Sequence, residues 1–190
     1  QKEEKVIAMV APAVLAQFGK PIEHVYGALK AIGFSDIVEV AYGAEETIRR
    51  EAEELQEKIE EGQPFMTTSC CPAYVNLAKK HIPEIEKYIS TTKSPMYYTA
   101  EIVKAKDPEA KTVFIGPCIA KRKEARYHDN VDYVMTFEEL GSIFDGFNID
   151  MKQIEPMTMP FTSVKEAHGF AQDGGVTQAV KVFLDKANLP

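Results

Sequence analysis

Three cysteines hold the most reactive side chains of this 190-residue chain. Cys70 and Cys71 are adjacent and run into Pro72, and Cys118 follows Pro117. Thiolates suit soft metals and iron–sulfur clusters. The bland alternative is burial as small apolar residues. Two neighbouring cysteine side chains diverge, so they seldom ligate one iron together. One can ligate while the other does acid–base or nucleophilic work. Zinc fits poorly, because there is no CxxC pair and no histidine at ligand spacing from a cysteine. His24, His81, His128 and His168 are scattered and read as surface or packing residues.

A second candidate lies in the acidic stretch 44–61. Ile48, Ala52, Leu55 and Ile59 recur at helical period and mark a core-facing stripe. Glu51 lies beside that stripe and is expected to be partly buried. Glu54 follows one turn on, so the two carboxylates stack along one side. Such a pair could pass a proton inward from solvent. The competing reading is a solvated charged face with ion pairs such as Glu54 to Lys58. Glu45, Glu46, Glu57, Glu60 and Glu61 read as ordinary surface charge.

The elements that must position these residues alternate. Strands are predicted over 6–10, 37–42, 65–68, 112–115 and 133–136. Helices are predicted over 22–32, 44–61, 73–81, 96–106, 138–145 and 176–187, with an irregular Met- and Pro-rich stretch over 146–160. Strands alternating with helices indicate an α/β fold built on parallel sheets. In such sheets ligands bind beyond the carboxyl ends of the strands. Ala11-Pro12, Cys70-Cys71 and Gly116-Pro117-Cys118 all fall at predicted strand ends.

Bulk properties narrow the class. The chain is 45% hydrophobic and 27% charged, ordinary values for a folded domain. A net charge of −7 argues against nucleic-acid binding, which needs a basic surface. No apolar run approaches the length of a membrane span, and residues 1–5 are too polar for a signal peptide. An odd number of cysteines, two of them adjacent, does not make a secreted disulfide framework, which places the chain in the cytoplasm.

The motifs resemble those of one family. Thr68-Ser69-Cys70-Cys71-Pro72-Ala73-Tyr74 is similar to the TSCCPxW signature of iron-only (FeFe) hydrogenases. Gly116-Pro117-Cys118-Ile119-Ala120-Lys121, with Glu124, resembles their MPCxxKxxE signature. Ala11-Pro12-Ala13-Val14 and Gly174-Gly175-Val176 resemble two further segments, in the right order. The resemblance implies two α/β lobes around a central cleft, with residues 1–190 forming part of the catalytic domain. It implies the H-cluster, a 4Fe–4S cubane bridged through a cysteine to a diiron unit bearing CO, cyanide and a dithiolate. Cys71 and Cys118 match two of the four cubane-ligating cysteines. Cys70 matches the proton-passing cysteine, and Lys121 the lysine that bonds a cyanide. Ala11, Pro12, Gly174 and Gly175 match positions around the diatomic ligands. With one deletion allowed before the TSCC segment, Glu51 and Glu54 match the two glutamates of the family's proton channel, and Ser90 its serine. The activity implied is interconversion of dihydrogen with protons and electrons, with a ferredoxin or a fused ferredoxin-like domain as electron partner.

The pattern also departs from the family's. The third cysteine signature does not occur, so the 190 residues alone are expected to hold no complete cluster. No CxxCxxCxxxC electron-relay run occurs either, and such a module is expected ahead of Gln1 in the parent protein. Tyr74 stands for a tryptophan, Gly116 for a methionine and Ala13 for a frequent serine. These changes resemble divergent, sensory branches. The rivals to an enzyme are therefore a hydrogen sensor and a hydrogenase-like iron–sulfur scaffold. Scaffold relatives usually lose the proton-passing cysteine, and Cys70 is present here. A plain thiol redox protein has only the cysteine pair in its favour.

Overall fold

The computed structural model describes residues 4–159 and 165–187. Strand β1 (Val6–Val10) is apolar throughout, and all but its first residue are buried. That is the signature of a strand covered on both faces of a parallel sheet. It pairs in parallel with β2 (Asp36–Glu39) on one side and β3 (Lys111–Ile115) on the other, and β4 (Tyr133–Met135) extends the sheet beyond β3. The register aligns the carboxyl ends: Val10 lies opposite Glu39 and Ile115, and Ile115 opposite Met135.

Helices cover the sheet. A single turn, α1 (Val14–Gln17), leads to α2 (Ile22–Ala31). The long α3 (Ala41–Glu60) ends at Gly62, whose φ of 85° any side chain would strain. Then come α4 (Pro72–His81), a 3₁₀ turn over Pro83–Tyr88, and α5 (Pro95–Lys106). The short α6 (Lys121–Ala125) follows β3. A capping box of Thr136 and Glu139 starts α7 (Phe137–Gly146). The described chain closes with α8 (Lys165–His168), a 3₁₀ turn over Gly169–Ala171, and α9 (Gly175–Lys186). Met9, Leu29, Ile37, Met96, Ile115, Phe137 and Leu140 are the largest apolar side chains sealed from solvent. Gly43 lets α3 lie directly on α5, because a Cβ there would stand 2.1 Å from the Pro95 carbonyl oxygen.

Two expectations change. The strand predicted over 37–42 stops at Glu39, and Ala41 is already helical. Its β-like residues gave way to packing: Ala41, Gly43 and Ala44 are buried, and small residues suit the α3–α5 contact. Residues 65–68 do not form a strand of the sheet. Only an isolated bridge joins Thr67 to Ile89, with Phe65 stacked on Tyr88 at 4.4 Å. The sheet thus has four strands where five were predicted, and Cys70-Cys71 follows a bridge. The parallel α/β architecture is present, and the strands among the described residues form one sheet. The irregular stretch is seen up to Met159, and Pro160 lies outside the described residues. No helix among the described residues is long and apolar enough to cross a membrane.

Candidate active site

The carboxyl ends of β1 and β3 open on a cavity of about 240 Å³. Ala11 and Pro12 line it from β1, and Cys118 and Lys121 from the turn after β3. Cys70 and Cys71 enter between them from the segment before α4. The structure therefore brings all three cysteines, the lysine and the Ala11-Pro12 pair to one cavity.

Each cysteine is held differently. Cys71 is exposed and is the N-cap of α4, its sulfur facing the Tyr74 amide at 3.5 Å. Pro72 fits the first helical turn, where no amide is needed. Cys118 is half-buried. Cys70 is also half-buried, and its thiol is pushed up from the ordinary value by burial and then by the charge of Glu51. Thr68 and Lys121 pull the other way.

Lys121 is buried although charged. Its ammonium donates to Glu124 Oε2 at 2.7 Å and to the Cys70 carbonyl at 3.0 Å. Ser94, also buried, donates to the other Glu124 oxygen. A lysine has three donors, so one is left to face an anion in the cavity.

The two glutamates are arranged as a graded pair. Glu51 is fully buried, and its carboxyl is pushed up to about 7, first by burial and then by the charge of Glu54. Its Oε1 accepts from the Ser69 amide at 3.1 Å, whereas its buried Oε2 has no hydrogen-bond partner. Glu54 is half-buried, and its Oε2 accepts from the buried Ser90 hydroxyl at 2.6 Å. Burial pushes Glu54 up, but hydrogen bonds from Ser90, Thr91 and Thr92 outweigh it and hold the carboxyl below the ordinary range. The alternative Glu54–Lys58 pair is not what Lys58 makes: its ammonium meets Glu61 at 3.0 Å.

Gly174 and Gly175 are not brought to the cysteine cavity. Gly174 has a φ of 68° and caps α9, and Gly175 packs against the Gly169 carbonyl, where a Cβ would stand 1.9 Å from the oxygen. Both line a separate hollow with Gly169 and Gln172. Phe170 and Ala171, just before them, reach the cysteine cavity instead. Sequence reasoning missed these two, and Met96 and Phe114 with them, because apolar side chains carry no chemical signal. It also missed Ser69, whose amide serves Glu51 while its hydroxyl donates to the Thr92 carbonyl at 2.5 Å.

Comparison with known proteins gives the family. The family described as "Iron only hydrogenase large subunit, C-terminal domain" matches residues 4–189. The chain belongs to that family. Iron hydrogenase 1 of Clostridium pasteurianum is 31% identical over 98% of this chain and 38% of its own length. Among solved structures, apo FeFe-hydrogenase HydA1 from Chlamydomonas reinhardtii superposes with a TM-score of 0.73 and 27% identity, covering 86% of this chain and 49% of that one. The cytosolic Fe-S cluster assembly factor NAR1 of Kluyveromyces lactis is 29% identical over 61% of this chain and 25% of its own length. The chain thus spans half or less of the length of these relatives.

The cavity residues fit one side of an iron–sulfur and diiron group. Three thiols, a buried ammonium and small apolar residues line the cavity, and the Glu51 carboxylate, hydrogen-bonded to the Ser69 amide beside Cys70, keeps a buried oxygen without a partner. They do not make a complete cubane set. Among the described residues, no group of three or more His, Cys, Asp or Glu side chains is placed to hold a metal.

Proposed function

We propose that this chain forms the proton-handling wall, and part of the cluster-binding wall, of a hydrogenase that interconverts dihydrogen with protons and electrons. The observation that carries this reading is the placing of Glu51. It is a sealed carboxyl with one partnerless oxygen, electrostatically coupled both to the Cys70 thiol and to Glu54. A buried acid poised near neutrality suits proton transfer.

In this reading Cys71 and Cys118 hold the cubane, and polypeptide outside the 190 residues supplies its other thiolates. Lys121 offers its third N–H to a cyanide, and Ala11 and Pro12 close the apolar wall. Bound there, the H-cluster supplies the making and breaking of dihydrogen. Cys70 gives or takes the proton at the cavity, Glu51 receives it, and the Ser90 hydroxyl with Glu54 connects it to solvent. Gly174 and Gly175 act at one remove, by letting α9 seat against Gly169 so that Phe170 and Ala171 reach the cavity. A ferredoxin or fused ferredoxin-like domain supplies electrons, and a reducing cytoplasm keeps the thiols free.

The test is a pair of variants in the native polypeptide that carries this chain, loaded with its cluster. Cys70→Ala should nearly abolish dihydrogen turnover yet keep the iron and the infrared bands of CO and cyanide. Cys71→Ala should lose the iron. Full turnover in Cys70→Ala would leave the fold and remove the mechanism. A second reading, an iron–sulfur scaffold with little turnover, is favoured by the NAR1 likeness. It predicts wild-type iron binding without dihydrogen chemistry when electrons are supplied.

A further inference from the structure

The Glu54 carboxylate collects far more donors than a relay group needs. Oε2 accepts from the hydroxyls of Ser90 at 2.6 Å and Thr92 at 3.0 Å. Oε1 accepts from the Thr91 hydroxyl at 3.0 Å and the Thr91 amide at 2.8 Å. The Thr91 amide also reaches Oε2 at 3.1 Å, and the Thr92 amide reaches it at 3.3 Å. Thr92 further donates its amide to Ser90 Oγ at 3.1 Å, fixing the serine that bonds Glu54. Two amides and three hydroxyls from three consecutive residues thus close on one carboxylate. Donors of this kind favour the charged form of a carboxyl. Glu51 is the opposite case, with one amide and one unpartnered oxygen in a sealed wall. Burial with so few donors favours the neutral form.

We infer that Thr91 and Thr92 are positioning residues that clamp Glu54 as a carboxylate, so that a proton shared by the pair resides on Glu51. Inward transfer takes the proton from the Glu54 carboxyl and leaves it on Glu51, with Glu54 returned to its clamped anion. Outward release reverses this; in either direction the proton exchanged with solvent must sit briefly on the clamped group, so Glu54 is the uphill point of the path and Glu51 the resting place. The inference rests on the relay reading above, but the clamp itself is a property of the chain. The charged and titratable groups facing the pair are few. Glu51 and Glu54 face each other, Lys58 adds a positive charge along α3, and Cys70 faces Glu51 with Lys121 behind it.

The test needs no cluster. Carboxyl carbons of the 190-residue chain, labelled with ¹³C-glutamate, are followed by NMR against pH, with Glu51→Gln and Glu54→Gln assigning the two signals. Glu54 should titrate below the ordinary glutamate value of about 4.3, and Glu51 well above it. Thr91→Val and Thr92→Val keep the shape and both amides but remove a hydroxyl each. Each should weaken Glu54 as an acid about tenfold. Thr91→Ser and Thr92→Ser should leave its midpoint low, a rescue that a merely structural role does not predict. The clamp is overturned if Glu54 titrates no lower than Glu51, or if the double valine variant, with an unchanged amide spectrum, leaves Glu54 where it was. Failure of the relay looks different: Glu51→Gln in the cluster-loaded native polypeptide would keep full turnover while the threonine variants still moved Glu54.

Discussion

The Lys121 ammonium donates to the backbone carbonyl of Cys70 across 3.0 Å, tying the turn after β3 to the cysteine pair 51 residues earlier. Its second partner, Glu124, is as little exposed as Lys121 itself, with side-chain exposures of 13% and 10%.

Removing one member of a pair this secluded strands the other. Lys121→Met should destabilise the chain by about 3 kcal/mol at neutral pH, through the unpaired Glu124 carboxylate. Lys121→Met with Glu124→Gln should recover most of the loss, because an amide needs no counter-charge. Urea unfolding of the wild type and the two variants gives the comparison. Equal stability of wild type and Lys121→Met would mean that the pair is solvated after all.

A second buried-edge carboxylate sets acid sensitivity. Asp132 accepts from the Thr112 amide at 3.0 Å and meets the ammonium groups of Lys104 at 2.9 Å and Lys111 at 3.1 Å. Burial raises its pKa, but these partners outweigh burial and hold it down at about 2, against an ordinary 3.8. A depressed carboxyl stabilises above its unfolded value, and that stability is lost as pH falls through the folded one. Asp132→Asn should cost about 2 kcal/mol at pH 7. The two proteins should converge between pH 4 and 2, which unfolding curves across that range will show.

Much of this was legible in advance, for identifiable reasons. β1 is an unbroken apolar run, and its predicted and observed bounds coincide. The acidic helix carried its own period, so Glu51 was expected to be partly buried beside Ile48 and Leu55; it is fully buried, whereas Ile59 at the end of the same stripe is exposed. Ala11-Pro12 and Cys118 were marked by their predicted strand ends and Lys121 by the family motif alone, and all four line one cavity with the cysteine pair. What was hidden depends on contacts distant in sequence. Residues 37–42 read as a strand because Ile, Val and Tyr favour one, and only the approach of α5 makes Ala41 helical. The Thr91 and Thr92 hydroxyls look like any loop residues until the chain brings them to Glu54, 37 and 38 residues away. Gly174 and Gly175 signal a special backbone in sequence, but not which hollow that backbone lines.

Gly116 gives a packing prediction. A Cβ there would stand 2.8 Å from two ring carbons of Phe114 and 3.1 Å from the Ala11 Cβ. The Phe114 ring is buried and lines the cysteine cavity. Gly116→Ala should therefore cost about 1–3 kcal/mol by overpacking. Adding Phe114→Leu should return part of that cost, so the two changes should not be additive. Thermal unfolding of the four proteins in the cycle measures the coupling. Strict additivity would show that the ring swings aside freely.

Glu51 yields the sharpest pH prediction. Its carboxyl is raised to about 7 in the folded chain, against an ordinary 4.5. Between those values the folded state keeps a proton that the unfolded state has released. Stability must then fall as pH rises from about 4.5 to 7, the reverse of Asp132, and the full penalty is present above pH 7. The shift corresponds to about 3 kcal/mol. Glu51→Gln stays neutral at every pH and keeps an oxygen for the Ser69 amide, so it carries no such penalty. Near pH 4 the variant and the wild type should be similarly stable, and by pH 8 the variant should be the more stable by up to that amount. Cys70 provides an independent readout. Its thiol is raised by burial and by the Glu51 charge, so losing that charge should make it more acidic and speed its alkylation at pH 8. Urea unfolding at pH 4, 6 and 8, with alkylation rates for wild type and variant, decides the matter. Parallel stability curves from pH 4 to 8 would mean that Glu51 titrates near the ordinary value and is ionised at neutral pH, and unchanged thiol reactivity would mean that its charge does not reach Cys70; the first would cost the chain its proton store and the second the coupling of that store to the thiol, on which its proposed chemistry depends.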